Sequence, residues 1–219
     1  MPLLRTTFPV GALGCNCTIV ACPETRQALV VDPGDEAPRI LAELARLGVS
    51  AVSLLHTHAH FDHVMATGDV AAATGAEILL HRDDRWLYDN LALQAGLFGL
   101  QITAAPAAIT RPLAGGEVIP FGHREARCLH TPGHTPGSLC FYLEAAGERP
   151  LLFAGDTLFA GSIGRTDLPG GNFEQIVSSI QGDLFHLPEE TLVIAGHGPM
   201  TTIAAEREEN PFVGARAAD

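Results

Sequence analysis

The segment His58-x-His60-x-Asp62-His63 puts four side chains able to bind a metal within six positions. Neutral imidazole nitrogens and carboxylate oxygens suit zinc, iron(II) or manganese(II), and with no thiolate beside them a structural zinc finger is disfavoured. A strand cannot turn all four one way, because successive side chains point to opposite faces. A tight loop running into a helix can, and it can present two pairs to two adjacent ions. Three more residues stand at turns flanked by glycine: His134 in Thr131-Pro132-Gly133-His134-Thr135, Asp156 after Gly155, and His197 between Gly196 and Gly198. Glycine there lets the backbone approach a crowded centre. Each of the three alone reads as a cap or turn residue; jointly they read as the rest of a metal site.

Strands must deliver these residues. Residues 51–55 (Ala-Val-Ser-Leu-Leu) form a short apolar run that reads as a buried strand ending at the histidine segment. Upstream, residues 3–10, 18–21 and 28–31 are β-like, the last ending in the turn Asp32-Pro33-Gly34. Ile40, Leu41, Leu44 and Leu47 then recur at helix spacing up to Gly48, which suits the residue just past a helix end. Downstream, the pattern predicts a helix over about 64–73, a strand over 77–80 and a helical stretch containing Trp86, Tyr88, Leu91 and Leu93. Short strands follow within 109–142. Apolar strands at 151–154 and 192–195 lead into Asp156 and His197, with a helix over 173–184 capped by Asn172 between them and a short helix holding Glu206 and Arg207 at the end. Two blocks of strands, each followed by helices, predict an α/β fold, an αββα sandwich of two mixed β-sheets flanked by helices.

Taken end to end, these motifs resemble the metallo-β-lactamase superfamily, and within it the glyoxalase II group (hydroxyacylglutathione hydrolases) in its short bacterial form. The matching features are Asp32 in Asp-Pro-Gly, T-H-x-H-x-D-H at 57–63, His134, Gly-Asp-Thr at 155–157 and Gly-His-Gly at 196–198. The resemblance implies one divalent ion on His58, His60 and His134, a second on Asp62, His63 and His197, and Asp156 bridging both. Zinc is the first expectation for the pair, with iron or manganese as alternatives. Two cations ~3.5–4 Å apart lower the pKa of a shared water toward ~7, so a hydroxide arises without a protein nucleophile. The implied reaction is hydrolysis of an acyl thioester such as S-lactoylglutathione, with Asp62 and Asp156 expected to act in catalysis as well as in metal binding. Only 22 residues follow His197, so the C-terminal helical domain that grips glutathione in longer members is expected to be absent, leaving residues 1–219 as one domain.

Other readings use the same residues. In a persulfide dioxygenase, one iron would sit on His58, His134 and Asp156, and the Gly164-Arg165-Thr166-Asp167 string is shared with that branch. Hydrolysis of another ester, a lactone or a β-lactam is a further option, and a non-catalytic metal-binding module is the blandest. Arg165 is expected either to bind a substrate carboxylate or to pair with Asp167. Ala160-Gly161-Ser162-Ile163-Gly164 loosely resembles a nucleophile elbow, but the residues after it read as loop rather than helix. His56 and His130 are expected to support neighbouring ligands, and His81, His123 and His186 to be packing or surface residues.

Composition bounds the partners. The net charge is −12 and all 13 basic residues are arginine, so nucleic acid meets a mostly repulsive surface, and Schiff-base or phosphate-loop lysines are excluded. No apolar run is long enough for a membrane span and no export signal opens the chain, which places it in the cytoplasm as an expectation. Of the five cysteines, Cys15 and Cys17 fall on one face of a strand and are expected to pack, without disulfides.

Overall fold

Alternate residues of the central strands are apolar on both faces, and each face finds its own layer. The structure, a computed structural model, describes residues 1–100, 106–144 and 147–217. Strands β1 (Leu4–Val10), β2 (Cys15–Ala21) and β3 (Gln27–Val31) form an antiparallel meander. Helix α1 (Ala37–Leu47) ends at left-handed Gly48 (φ 64°) and returns the chain so that β4 (Ser50–Leu55) runs parallel to β3. The chain continues through α2 (Phe61–Val64), α3 (Thr67–Thr74) and β5 (Glu77–His81), then α4 (Arg85–Tyr88), α5 (Leu91–Leu97) and β6 (Arg111–Leu113). These strands complete a mixed six-stranded sheet in the order β1-β2-β3-β4-β5-β6.

The second sheet contains β7 (Val118–Phe121), β8 (Arg124–His130), β9 (Leu139–Leu143) and β10 (Leu151–Gly155). After β10 come a small hairpin, β11 (Leu158–Phe159) and β12 (Ser162–Ile163), and helix α6 (Phe173–Gly182). The chain then adds β13 (Leu192–Ala195) parallel to β10, β14 (Thr201–Thr202) and α7 (Ile203–Glu209). The order is β14-β13-β10-β9-β8-β7.

Between the sheets, Val20, Leu29, Val31 and Leu55 meet Phe121, Phe141 and Phe153. Their sequence neighbours Ile19, Val30 and Leu54 point outward beneath Ile40, Leu44 and Val70 of α1 and α3. On the far side, Tyr142, Leu152 and Val193 lie beneath Ile176, Ile180 and Ile203 of α6 and α7. Four layers result, the αββα sandwich that the pattern predicts.

The helix expected over 64–73 differs: it is split into α2 and α3 at Met65 and Ala66. The amide of Met65 donates to Gly34 O (3.1 Å) and that of Ala66 to Pro33 O (3.0 Å), so the turn after β3 captures the two amides at the break. Helix α6 is shorter than expected and gives way to a 3₁₀ turn, Leu184–His186, while the Asn172 side chain caps it by accepting from the Gln175 amide at 3.0 Å.

Phe141 is fully buried between the sheets. Phe141→Ala is expected to cost about 3–5 kcal/mol, read as a lowered denaturation midpoint at unchanged denaturant slope.

Candidate metal centre

The C-terminal ends of β4, β8, β10 and β13 open onto one edge of the sandwich, where backbone bonds stitch the sheets together. Leu139 N donates to Thr57 O at 2.7 Å, Asn16 N to Gly196 O at 2.7 Å, and Gly196 N to Gly155 O at 2.8 Å. At this edge Asp32 acts as a hub. It is buried in the turn after β3 with a left-handed backbone (φ 49°). Its Oδ1 accepts from the Thr57 amide (2.8 Å), and its Oδ2 accepts from the Thr57 hydroxyl (2.7 Å) and lies 3.0 Å from His63 Nδ1.

These bonds fix ring tautomers, because a ring nitrogen that donates a proton leaves a bare lone pair on the other. His63 donates from Nδ1 to Asp32. The Thr57 hydroxyl has given its hydrogen to Asp32, so at 3.1 Å it accepts from His58 Nδ1. His134 Nδ1 donates to Arg165 O (2.8 Å), and His197 Nδ1 to Leu13 O (3.1 Å). In the neutral rings the four Nε2 atoms are therefore bare, and they face inward. His60 Nδ1 also faces inward, 3.1 Å from His58 Nε2 and 2.9 Å from His134 Nε2, with no outer acceptor to fix its tautomer, while His63 Nε2 and His197 Nε2 stand 3.2 Å apart.

Two carboxylates enter the same space. Asp62 Oδ2 is 3.2 Å from His197 Nε2 and 3.6 Å from His63 Nε2. Asp156 reaches both groups, with Oδ1 3.5 Å from His63 Nε2 and Oδ2 3.6 Å from His134 Nε2. Its Oδ1 is buried without any hydrogen-bond partner, an expensive state for a carboxylate oxygen. Gly196 makes the space, since a Cβ there would lie 2.2 Å from Asp156 Oδ1. The ligand atoms cluster as His58-His60-His134, as Asp62-His63-His197, and as Asp156 with His58 and His63, each set within 4.8 Å. All seven sequence-predicted residues are thus brought together. The facing lone pairs of neutral His63 and His197, 3.2 Å apart beside an orphaned carboxylate oxygen, repel unless a positive charge lies between them, and this donor set fits divalent cations.

Charge follows the same logic without an ion. Burial, with neighbouring imidazoles, lowers His58 well below the ordinary histidine value and His60 to about 3. Burial also works against a charged His63, but the surrounding negative groups raise it well above that value. Among these the Cys15 thiol, 3.5 Å from His63 Nδ1, is itself pushed up to about 11 by burial and is neutral at pH 7, so Asp156, Asp62 and Asp32 hold the proton. Burial raises Asp62, yet His63 and His197 bring it below the usual carboxylate range.

Residues 10–197 match the sequence profile of the Metallo-beta-lactamase superfamily. The chain belongs to that superfamily. It is similar to the "Probable metallo-hydrolase YqgX" of Bacillus subtilis (38% identical, 94% of this chain and 95% of the relative). It is likewise similar to the "Hydroxyacylglutathione hydrolase GloC" of Haemophilus influenzae (37% identical, 96% and 98%). Solved structures with the same fold include the BLEG-1 B3 metallo-beta-lactamase (36% identical, TM-score 0.87, 96% of this chain and 99% of that one). TTHA1623 in a di-iron-bound form is 39% identical (TM-score 0.83, 94% and 99%), and ETHE1 from Myxococcus xanthus 28% identical (TM-score 0.77, 97% and 84%). The chain is accordingly a metallo-hydrolase of the metallo-β-lactamase superfamily, with the fold and divalent-metal chemistry of that group. Among the described residues no helix is long and apolar enough to cross a membrane.

Some supports of the site have no local sequence signal. Asp84 sits in Arg82-Asp83-Asp84, which reads as a solvated acidic turn, yet it is fully buried and joins two ligand loops. Its Oδ2 accepts from the Ala59 amide (3.0 Å) and the Thr135 hydroxyl (2.8 Å), and its Oδ1 from the Gly137 amide (2.7 Å). Asn16 clamps Gly196-His197-Gly198 by donating to Ala195 O and Gly198 O, both at 3.0 Å. His56 bridges Leu79 O and the Thr67 hydroxyl, each at 2.8 Å, and His130 Nε2 donates to Pro136 O (2.9 Å) in the His134 loop, so both support ligand segments as expected. His81 is buried and stacks on His130 at 4.3 Å. Arg165 and Asp167 form the expected pair through two bonds of 2.7 and 2.8 Å. Ser162 lies in the β11–β12 hairpin and donates to Ile163 O, with no histidine partner, which removes the nucleophile-elbow reading. All five cysteines are free and buried.

Asp84→Ala would strand the Ala59 and Gly137 amides and leave the Thr135 hydroxyl with only Ser138. It is expected to destabilise by about 3 kcal/mol or more, measured by thermal melting, with Asp84→Asn milder because one acceptor oxygen remains. A second expectation concerns pH. His60 stays neutral in the fold down to about 3, whereas the unfolded chain takes up that proton near 6.5. Below 6.5 the unfolded state therefore binds more protons, and this ring costs the fold up to ~1.4 kcal/mol per pH unit. His63 acts in a separate window: its raised value stabilises fully below 6.5 and fades only as the pH climbs through its folded value. The melting temperature of the chelator-treated protein should fall steadily from pH 6.5 to 4.5; a flat profile would contradict the burial of these rings.

Proposed function

We propose that this chain hydrolyses acyl thioesters, with S-lactoylglutathione as the reference substrate, and that it uses two divalent cations, zinc first. His58, His60 and His134 would hold one, Asp62, His63 and His197 the other, and Asp156 both. The observation that carries this reading is the set of five imidazole nitrogens and two carboxylates aimed at one another, with the opposite ring nitrogens of four of the histidines committed to acceptors outside the centre. The likeness to GloC supports the thioester.

Bound cations would supply the positive charge that activates water and polarises a carbonyl. The chain's own residues do the rest. Among the described residues the cavity beside the centre, about 450 Å³, is lined by His60, Asp62, His134, Asp156 and His197 but by no serine, cysteine or threonine, which leaves water as nucleophile. Asp62, on that wall and held by His197, is placed to orient the water and accept its proton. The water oxygen bonds to the carbonyl carbon, the C–S bond breaks and sulfur leaves with the electron pair as thiolate; a carboxylate and two protons result, one of which the thiolate takes up to become the free thiol.

A second reading, oxygenation of a persulfide by one iron on His58, His134 and Asp156, draws on the Gly164-Arg165-Thr166-Asp167 string that resembles the dioxygenase branch. Metal content of the protein as isolated, coupled to S-lactoylglutathione cleavage, separates the two: two metals with thioester cleavage support the hydrolase, one iron with sulfite from glutathione persulfide the dioxygenase. His58→Ala and Asp156→Ala are each expected to lose metal and nearly all turnover while far-ultraviolet circular dichroism persists. Full turnover in either variant would sink the ligand assignment.

A further inference from the structure

Of the twelve large apolar side chains exposed among the described residues, five line the cavity that opens on the metal centre: Leu13, Trp86, Leu93, Leu97 and Phe98. Scattered exposed leucines need no explanation, but a concentration beside reactive groups does. Helix α5 shows how it is built. Leu91 and Ala95 turn inward onto the Tyr88–Phe61 cluster, whereas Leu93 (68% exposed) and Leu97 (77% exposed), one helical turn apart, remain on the cavity side. Phe98 packs on Phe61 with ring centroids 5.2 Å apart.

The wall is also tied to the centre. Gln94 donates from Nε2 to Ala59 O (3.1 Å) and to Leu87 O (2.7 Å), and accepts from the Phe61 amide (3.3 Å), so α5 is registered on the loop that carries His60 and Asp62. Apart from the histidines, Arg165 is the one basic residue lining the cavity among the described residues, and two of its donor groups are committed to Asp167. Two carboxylates of a peptide thiol would find few partners here, while a hydrocarbon chain would find a mostly apolar wall broken only by Asn90 and Gln94.

We propose that this cavity is an acyl-chain subsite, and that the preferred thioester carries a medium-length apolar acyl group laid along α4 and α5, rather than a short polar one such as lactoyl. This rests on the thioester reading above and narrows its substrate class. With the carbonyl at the ligand cluster, the acyl chain is the half of the substrate that the apolar wall can cover, and the charged thiol half is left toward solvent and Arg165. Each methylene that leaves water favours binding by roughly three- to fourfold.

The test uses the metal-loaded full chain and a series of S-acylglutathiones from acetyl through butyryl and hexanoyl to octanoyl. The expected result is a rise in kcat/KM on the order of a hundredfold across the series, carried mostly by KM. The double variant Leu93→Gln/Leu97→Gln alters two exposed side chains, so its fold should stand, and its octanoyl-to-acetyl ratio of kcat/KM is expected to drop at least about fivefold by loss of buried hydrocarbon. Val118→Gln, an exposed apolar position outside the cavity, should leave that ratio as it was. Cleavage of every member at equal or falling kcat/KM would overturn the subsite and leave the thioester reading intact; cleavage of none would sink that reading instead. A flat series together with a dimer that the double variant abolishes would overturn the subsite as well, showing the wall to be covered by a second copy.

Discussion

An imidazole is held with its lone pair toward a shared centre when its other nitrogen has an acceptor for its proton, and the site meets that condition for four of its five rings. Asp32 serves His63 directly and His58 through Thr57, Leu13 O serves His197, and Arg165 O serves His134. Those acceptors come from the β1–β2 turn, the end of β3 and the segment after β12, so no single element could supply them. Both sheets and their connections must close before the rings acquire their tautomers. The same closure removes water from the rings, which keeps His58 and His60 neutral and available as ligands.

The sandwich meets this demand through strand direction. Parallel pairing of β3 with β4 and of β10 with β13 brings the C-terminal ends of these strands to one edge, and the ligands sit just past those ends. Loops can then converge from both sheets without threading through the core, while the inter-sheet phenylalanines fix the spacing below. Asp84 adds a lateral brace between the His58–His63 loop and the His134 loop. A buried carboxylate satisfied by three donors is a rigid joint, since loss of any one bond exposes the cost of its burial.

Sequence reading recovers the parts of this arrangement that leave a local trace. Four ligands crowded into six positions, glycines beside the other three, and apolar runs that end at each of them are visible without coordinates. The helix break at Met65–Ala66 is not visible, because its cause lies some thirty residues upstream, in carbonyls of Pro33 and Gly34. Asp84 and Asn16 escape for the same reason: an acidic residue in a charged turn and an asparagine in a strand look ordinary until distant loops fold over them. The Cys15 thiol, far from the histidines in sequence, lies against His63 in space, yet burial keeps it protonated and outside the ligand set.

The site and its cavity are governed by different forces, and this separates chemistry from selectivity. Around the histidine and carboxylate cluster, geometry is set by short polar bonds from several elements, and a displaced side chain would leave a buried lone pair or charge unmatched. Along α4 and α5 the surface is set by dispersion and by exclusion of water, neither of which is directional. Exchange of one exposed leucine for another apolar side chain there changes area by small increments, and Gln94 transmits little of the change because its bonds run to backbone carbonyls and an amide rather than to the substituted side chains. A fold built this way can hold its reactive centre constant while the cavity wall drifts toward different substrates. Relatives with the same fold and different printed names, a hydroxyacylglutathione hydrolase and a B3 metallo-beta-lactamase, are compatible with such a division of forces.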